Sequence, residues 1–228
     1  MQSQTKTGLA LFDLDHTLIP FDSDYSWGEF TSTLGWNDPL EFKQRNDAFY
    51  ADYKAGTLDI HAYCRFATAA VCREGEAKSR AAHARYMAEV VRKGILPQAV
   101  ALIEQHKRAG DTVVIITATN EFVTRPIAEA FGAEHLLAIE LERDSDTGWY
   151  TGAIKGVPSF REGKVTRMED WLRAHALSWD TVHSTFYSDS INDVPLMERA
   201  DVPVATNPDE RLRALATQRG WRILDLFA

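Results

Sequence analysis

The sequence predicts an α/β protein: a mostly parallel sheet with helices on both faces, interrupted by an inserted bundle of α-helices. Three observations lead there. From Pro97 to the C-terminus, short apolar or β-branched runs alternate with helical periodicity, the pattern of repeated crossover units. A lone apolar run, Leu9-Ala10-Leu11-Phe12, stands near the start. Between the two lies a stretch that reads as helix up to about Leu96, so it separates the first strand from the second. At 228 residues, with 45% apolar and 25% charged side chains, the chain has the size and make-up of one large globular domain or a domain carrying a smaller insert.

The first strand ends in Asp13-Leu14-Asp15-His16-Thr17. On an extended segment the carboxylates of Asp13 and Asp15 share one side, where they repel unless a cation or a shared proton intervenes. His16 is expected to point the other way, toward the insert or solvent. Taken alone, the pentapeptide reads equally well as an acidic turn.

The helices follow. Asp38-Pro39-Leu40-Glu41 places Asp at the N-cap, Pro at N1 and Glu at N3 of a helix carrying Phe42, Phe49 and Tyr53 and stopped by Gly56. A second begins at Thr57, with Tyr63, Phe66, Ala67, Ala70 and Val71 on one face. A third carries His83, Tyr86, Met87 and Val90 and ends at Gly94. Most aromatic residues here are expected to form the bundle's own core. Tyr25 and Trp27, next to the Asp motif, are the expected exceptions, as amphipathic rings suited to lining a pocket.

The alternating part reads as a helix from Pro97 to Ala109, a strand at Thr112–Ile116, a helix from Asn120 to Phe131 and a strand at His135–Ile139. A hairpin follows between Glu140 and Ile154, turning at Asp144-Ser145-Asp146-Thr147-Gly148. Then come a helix from Gly163 to Leu177, a strand at Val182–Tyr187, a short helix at Val194–Arg199 and a short strand at Val202–Ala205. Asn207-Pro208-Asp209-Glu210 repeats the N-cap signature before a last helix, and Trp221–Leu224 reads as a final strand.

A net charge of −8 excludes nucleic acid and anionic membrane as general partners, so an anionic substrate needs positive charge supplied locally. Cys64 and Cys72 fall on one predicted helix without ligand-like spacing, as buried apolar residues of a reducing compartment do. No long apolar run precedes the acidic motif. A cytoplasmic, soluble protein is expected.

In an open α/β sheet, ligands bind beyond the carboxyl ends of the strands. After the first strand come Asp13, Asp15 and Thr17; after the second, Thr117-Ala118-Thr119-Asn120; after the fourth, Ser188-Asp189-Ser190-Ile191-Asn192-Asp193. Lys164 opens the helix leading into that fourth strand. Asp13, Asp15 and Asp189 offer hard oxygen donors suited to Mg²⁺. Thr117, Ala118, Thr119 and Asn120 offer a hydroxyl and backbone N–H groups at a helix start, and Lys164 adds a point charge. Metal, lysine, helix start and a carboxylate able to attack are the parts of a phosphoryl-transfer site.

In these four motifs and their order, the sequence resembles the haloacid dehalogenase superfamily. Within it, the chain is similar to the phosphoserine-phosphatase-like branch, which has a helical cap inserted after the first motif. The likeness spans nearly the whole chain. It implies a three-layer Rossmann-like core at residues 1–20 and 96–228, and a helical cap at 21–95. By the same resemblance Asp13 is the nucleophile and Asp15 the general acid and base. Asp13, the carbonyl of Asp15 and Asp189 hold Mg²⁺, Thr117 and Lys164 bind the phosphoryl group, and Asn192 and Asp193 orient Lys164 or the metal's waters. One departure stands out: Ser188 and Ser190 flank Asp189 where the family usually has glycine. The implied function is a phosphatase acting on a small phosphorylated metabolite. The alternatives are a phosphotransferase or phosphomutase using the same intermediate, or a non-catalytic binding module. For the substrate's far end, Asp22, Asp24, Tyr25, Trp27 and Arg65 are the candidates. An acid beside aromatic rings suits an amine or imidazole, closer to the subgroup assigned histidinol-phosphate activity than to phosphoserine enzymes.

Overall fold

The computed structural model describes residues 6–228. Strand β1 (Thr7–Phe12) is followed by a run of helices: α1 (Ser23–Thr33), α2 (Pro39–Ala55), α3 (Ile60–Glu74), α4 (Glu76–Tyr86), a π-helical turn (Met87–Val91) and α5 (Arg92–Gly94). Then come α6 (Pro97–Ala109), β2 (Thr112–Asn120), α7 (Glu121–Ala130), β3 (His135–Ile139), β4 (Leu141–Arg143) and β5 (Tyr150–Ile154). The chain closes with α8 (Glu162–Ala174), β6 (Val182–Ser188), a 3-10 turn (Ile191–Asp193), α9 (Val194–Met197), β7 (Val202–Thr206), α10 (Glu210–Arg219) and β8 (Arg222–Leu224).

Six strands form one parallel sheet in the order β3-β2-β1-β6-β7-β8, and β4 pairs with β5 as a separate hairpin. The order reverses at β1, which has β2 on one side and β6 on the other. That reversal is a topological switch point, where a crevice opens beyond the strand ends. Alternation along β1 divides the core. Ala10 and Phe12 face one side with α6, α7 and the helical segment, while Leu9 and Leu11 face the other with α8, α9 and α10.

The helix caps follow the sequence signals. Asp38 accepts from the N–H groups of Leu40 and Glu41, and Gly56 ends α2 in the left-handed conformation. At α10 the cap is Asp209, which accepts from Leu212 N–H, and not Asn207. Asn207 instead donates to the His16 carbonyl at 2.9 Å and accepts from the N–H groups of Leu226 and Phe227, tying the C-terminus to the first motif's loop. The hairpin is the platform on which α3 rests. Trp149 Nε1 donates to the Val71 carbonyl at 2.9 Å, and Gly152 leaves room for Thr68 and Cys72. Cys64 and Cys72 are both free thiols.

Candidate active site

Asp13 is the first residue past β1, and its N–H donates to the Tyr187 carbonyl on β6 at 2.9 Å. From the first turn of α8, Lys164 reaches it: the ammonium donates to Asp13 Oδ1 at 2.7 Å and to Asp193 Oδ2 at 2.6 Å. Lys164 is 1% exposed. Burial alone would lower its pKa, but the two carboxylates outweigh that and hold it protonated. The close turn before α8 depends on Gly163, where a Cβ would lie 2.0 Å from the Pro158 carbonyl oxygen. In that turn Ser159 Oγ donates to the Thr117 carbonyl at 2.6 Å, and Arg161 adopts a positive φ of 53°, a conformation that costs a non-glycine residue on the order of 1–3 kcal/mol.

Asp15 is held from two directions. Its Oδ1 accepts from the Ser23 N–H at 2.9 Å and its Oδ2 from the Thr119 hydroxyl at 2.8 Å. Ser23 is the first residue of α1, which Asp22 caps by accepting from Tyr25 N–H. Burial first, then the charge of Asp22, push the Asp15 carboxyl up to about 6. Burial likewise pushes Asp13 up to about 7; Lys164 opposes it, while Asp193 and Asp15 add to it. A division in which Asp13 is ionised and Asp15 protonated needs more positive charge beside Asp13 than Lys164 supplies.

The residues present fit a cation there. The Thr17 hydroxyl lies 3.4 Å from Asp13 Oδ2 and 3.2 Å from Asp189 Oδ1, so it brings the two carboxylates to one place. Burial, then Asp13 and Asp193, raise Asp189 well above the ordinary carboxylate range. A hard divalent ion takes such oxygen donors and relieves this repulsion. Among the described residues no three His, Cys, Asp or Glu side chains cluster to hold a metal. The expected set asks for two carboxylates and the Asp15 carbonyl, which the arrangement can supply.

Of the two residues expected behind this centre, Asp193 meets Lys164, whereas Asn192 turns elsewhere. Its Oδ1 accepts from Arg161 Nε at 3.2 Å and its Nδ2 donates to the Tyr53 carbonyl at 3.4 Å. The serines replacing glycine are used. Ser188 Oγ donates to Asp193 Oδ2 at 2.7 Å, and Ser190 Oγ shares a 2.6 Å hydrogen bond with the Tyr53 hydroxyl on α2.

Asp13, Asp15, Asp22, Thr117, Ala118, Thr119, Lys164, Asp189, Asn192 and Asp193 all line one cavity of about 530 Å³. Other expectations need correction. Residues 117–120 are not a bare helix start: β2 continues through Asn120, Thr119 N–H is taken by Thr117 Oγ1, and Asn120 caps α7. Trp27 is 1% exposed and packs among Phe30, Trp36, His83, Tyr86 and Phe122, a core residue and not a pocket wall. Tyr25 packs toward Phe42 outside the cavity, and Arg65 is exposed away from it. Asp24 is buried, accepting from Asn120 Nδ2 at 2.9 Å, where it joins the helical segment to the sheet. His16 has a positive φ of 57°, so strand alternation does not apply, and it is an exposed part of the cavity wall.

The wall facing Asp13 is made of residues the sequence reading left in the bundle's core: Phe49, Tyr53 and Tyr63, joined by Asn46, Tyr50 and Phe160. Their signal was spacing. Asn46, Phe49, Tyr50 and Tyr53 stand at i, i+3, i+4 and i+7, one face of α2, and a polar amide inside an aromatic stripe is out of place in a sealed core. The loop after β7 and the start of α10 were missed as well, although Asp209, Glu210 and Arg211 line the cavity and Asp209 N–H donates to the Asp189 carbonyl at 3.1 Å.

Sheet order, switch point and the Asp13–Lys164–Asp193 contact define a class. The chain belongs to the haloacid dehalogenase-like hydrolases, whose sequence pattern it matches over residues 10–198. Within them it is a phosphatase. It is 40% identical over 218 residues to a histidinol-phosphatase of Neisseria meningitidis serogroup C, covering 95% of this chain and 98% of that one. It is 31% identical over 222 residues to a phosphoserine phosphatase of Mycobacterium tuberculosis, covering 96% and 71%. A crystal structure of a protein of unknown function from Bordetella pertussis Tohama I superposes with a TM-score of 0.91 at 45% identity, over 98% of this chain and 100% of that one. A substrate-bound phosphoserine phosphatase shares the fold at a TM-score of 0.66 and 18% identity, over 97% and 94%.

Proposed function

We propose that the chain hydrolyses a small phosphomonoester whose alcohol carries an amine or imidazole, histidinol phosphate being the leading candidate, through a phosphoryl group carried on Asp13. The observation that carries this reading is the placement of Asp13. It lies at the switch point between Lys164 and Thr17, while Asp15 is fixed beside it by Ser23 and Thr119 in the same cavity.

An Asp13 oxygen attacks phosphorus and the bond to the ester oxygen breaks, with Asp15 giving that oxygen its proton. Water then attacks the aspartyl-phosphate, its proton passing to the Asp15 carboxylate; phosphate leaves and Asp13 is regenerated. Ser23 N–H on Asp15 Oδ1 and the Thr119 hydroxyl on Oδ2 fix the carboxyl that gives and takes this proton. Lys164 and Thr117 are placed to meet phosphoryl oxygens. Asp13, Asp189 and the carbonyl of Asp15 would hold Mg²⁺, which when bound favours ionised Asp13 and offsets phosphoryl charge. Residues 21–95 act as the cap that covers the site. Tyr53 bonds Ser190 and Asn192, and Arg211 Nη1 donates to the Lys54 carbonyl at 2.8 Å, both joining the end of α2 to the sheet's edge.

The substrate reading is supported by the relative named histidinol-phosphatase and by the cavity's lining, which pairs aromatic rings with Asp22. The test is a panel of small phosphomonoesters assayed with Mg²⁺ and with chelator, using wild type and Asp13→Asn. The expected result is Mg²⁺-dependent turnover that falls about 10⁴-fold or more in the variant. Full activity in Asp13→Asn would overturn the covalent reading, and indifference to histidinol phosphate the substrate reading.

A further inference from the structure

We propose that Asn46 is the specificity-determining residue of the cavity, reading a flat nitrogen heteroaromatic ring on the leaving alcohol between Phe49, Tyr53, Tyr63 and Phe160. This rests on the phosphomonoesterase reading above and carries it to individual residues. Asn46 is 8% exposed and lines the cavity. The other buried asparagines beside the site are committed: Asn120 to Asp24 and Val123, Asn192 to Arg161 and the Tyr53 carbonyl. The Asn46 amide has no hydrogen-bond partner among the described residues, and its polar atoms are not sealed from space, so what they meet is the cavity.

The surroundings narrow what that something is. Phe49 and Tyr63 meet edge to face with ring centroids 5.5 Å apart, and Tyr53 lies 6.1 Å from Phe160. Such rings favour a flat guest and attract a cationic one. A primary amide offers both a donor and an acceptor, which complements a ring holding N–H and bare nitrogen. Among the described residues, a carboxylate on the alcohol would meet Lys164 only in competition with Asp13 and Asp193, and otherwise only the exposed Lys54 and Arg211 of the lining. Lys164 is held by Asp13 and Asp193; Lys54 and Arg211 are exposed, the first with its ammonium 4.5 Å from the Tyr50 ring centroid and the second bonded to the Lys54 carbonyl.

The experiment compares kcat/KM for L-histidinol phosphate, phosphoserine and phosphoethanolamine in wild type, Asn46→Leu and Asn46→Ala, with melting temperatures for all three proteins. Wild type is expected to prefer the imidazole substrate. Both variants are expected to lose about tenfold or more of that preference, through KM and not kcat, as the loss of one good hydrogen bond predicts. If wild type has the preference and the variants keep it, the role of Asn46 is overturned while the substrate reading stands. A variant loss shared equally by all three substrates also overturns it, since that marks a structural residue. A wild type with no preference overturns the substrate reading and this inference together.

Discussion

The two walls of the cavity are built differently. On the sheet's edge the working groups sit at the end of β2, one to five residues past β1 and β6, or in the first turn of a helix, and they are partnered: Lys164 with two carboxylates, Asp15 with Ser23 and Thr119, Asp193 with Lys164 and Ser188. The facing wall is the aromatic side of α2 and α3, with one amide left over. The edge is a preorganised charge array, and it answers to what all phosphomonoesters share. In the proposed reading the helical wall answers to what distinguishes them. Substitutions on the two walls should therefore fail in different ways.

The largest effect is expected at the edge. Lys164→Met leaves Asp13 and Asp193 buried without a counter-charge, which destabilises the fold by about 3–5 kcal/mol and removes the group proposed to meet phosphoryl oxygens. Denaturant unfolding and turnover should both register it, for every substrate alike. A loss confined to one substrate would contradict the division.

Trp27→Ala should cost a similar or slightly smaller amount of stability, about 3–5 kcal/mol, by emptying the aromatic core between α1 and α7. Its signature is different. The folded fraction should keep its ranking of substrates, because Trp27 does not reach the cavity. A changed ranking measured by kcat/KM would show that the helical core and the specificity wall are one unit.

Tyr53→Phe tests the seam between the walls. It deletes the bond to Ser190, worth about 0.5–1.5 kcal/mol, and keeps the ring against Phe160. The expected outcome is a KM raised for all substrates, with little change in preference, since the ring remains. Loss of preference instead would place the hydroxyl, and not the ring, in recognition.

The same contrast explains what could be read from the sequence. Asp13, Lys164 and Asp189 were legible because strand ends in a parallel sheet converge by topology, so local pattern fixes their meeting point. The boundaries of α2 were legible through Asp38 and Gly56 as caps. What one helix face packs against is a tertiary fact. Asn46, Phe49 and Tyr53 carry the periodicity of a core face, and only the placement of α2 over the edge makes that face a wall. Trp27 failed in the opposite direction: nearness in sequence to the Asp13–Thr17 motif suggested a pocket, but one helical turn carried it into the core. His16 and Arg161 escaped because positive φ at a non-glycine residue is set by the surrounding turn more than by residue type.

The smallest effect expected is one of pH, and it separates the walls by sign. His83 lies under the helical segment among Trp27, Tyr86 and Phe122, its Nε2 3.0 Å from the Val123 carbonyl, and burial lowers its pKa. The unfolded chain binds a proton at His83 near its ordinary value of about 6.5, before the native state does. Its contribution to stability is thus complete above that pH and is lost as pH falls through the lower native value. Burial raises the carboxylates of the edge, Asp13 to about 7 and Asp189 well above the ordinary range, so in metal-free protein their linkage runs the other way. Stability from them is present at low pH and lost as pH rises through the native values. Their share cancels when wild type is compared with His83→Gln in chelator. The melting temperature of wild type, relative to the variant, should fall between pH 7.5 and pH 5; a constant difference would mean that His83 carries its proton inside the aromatic cluster.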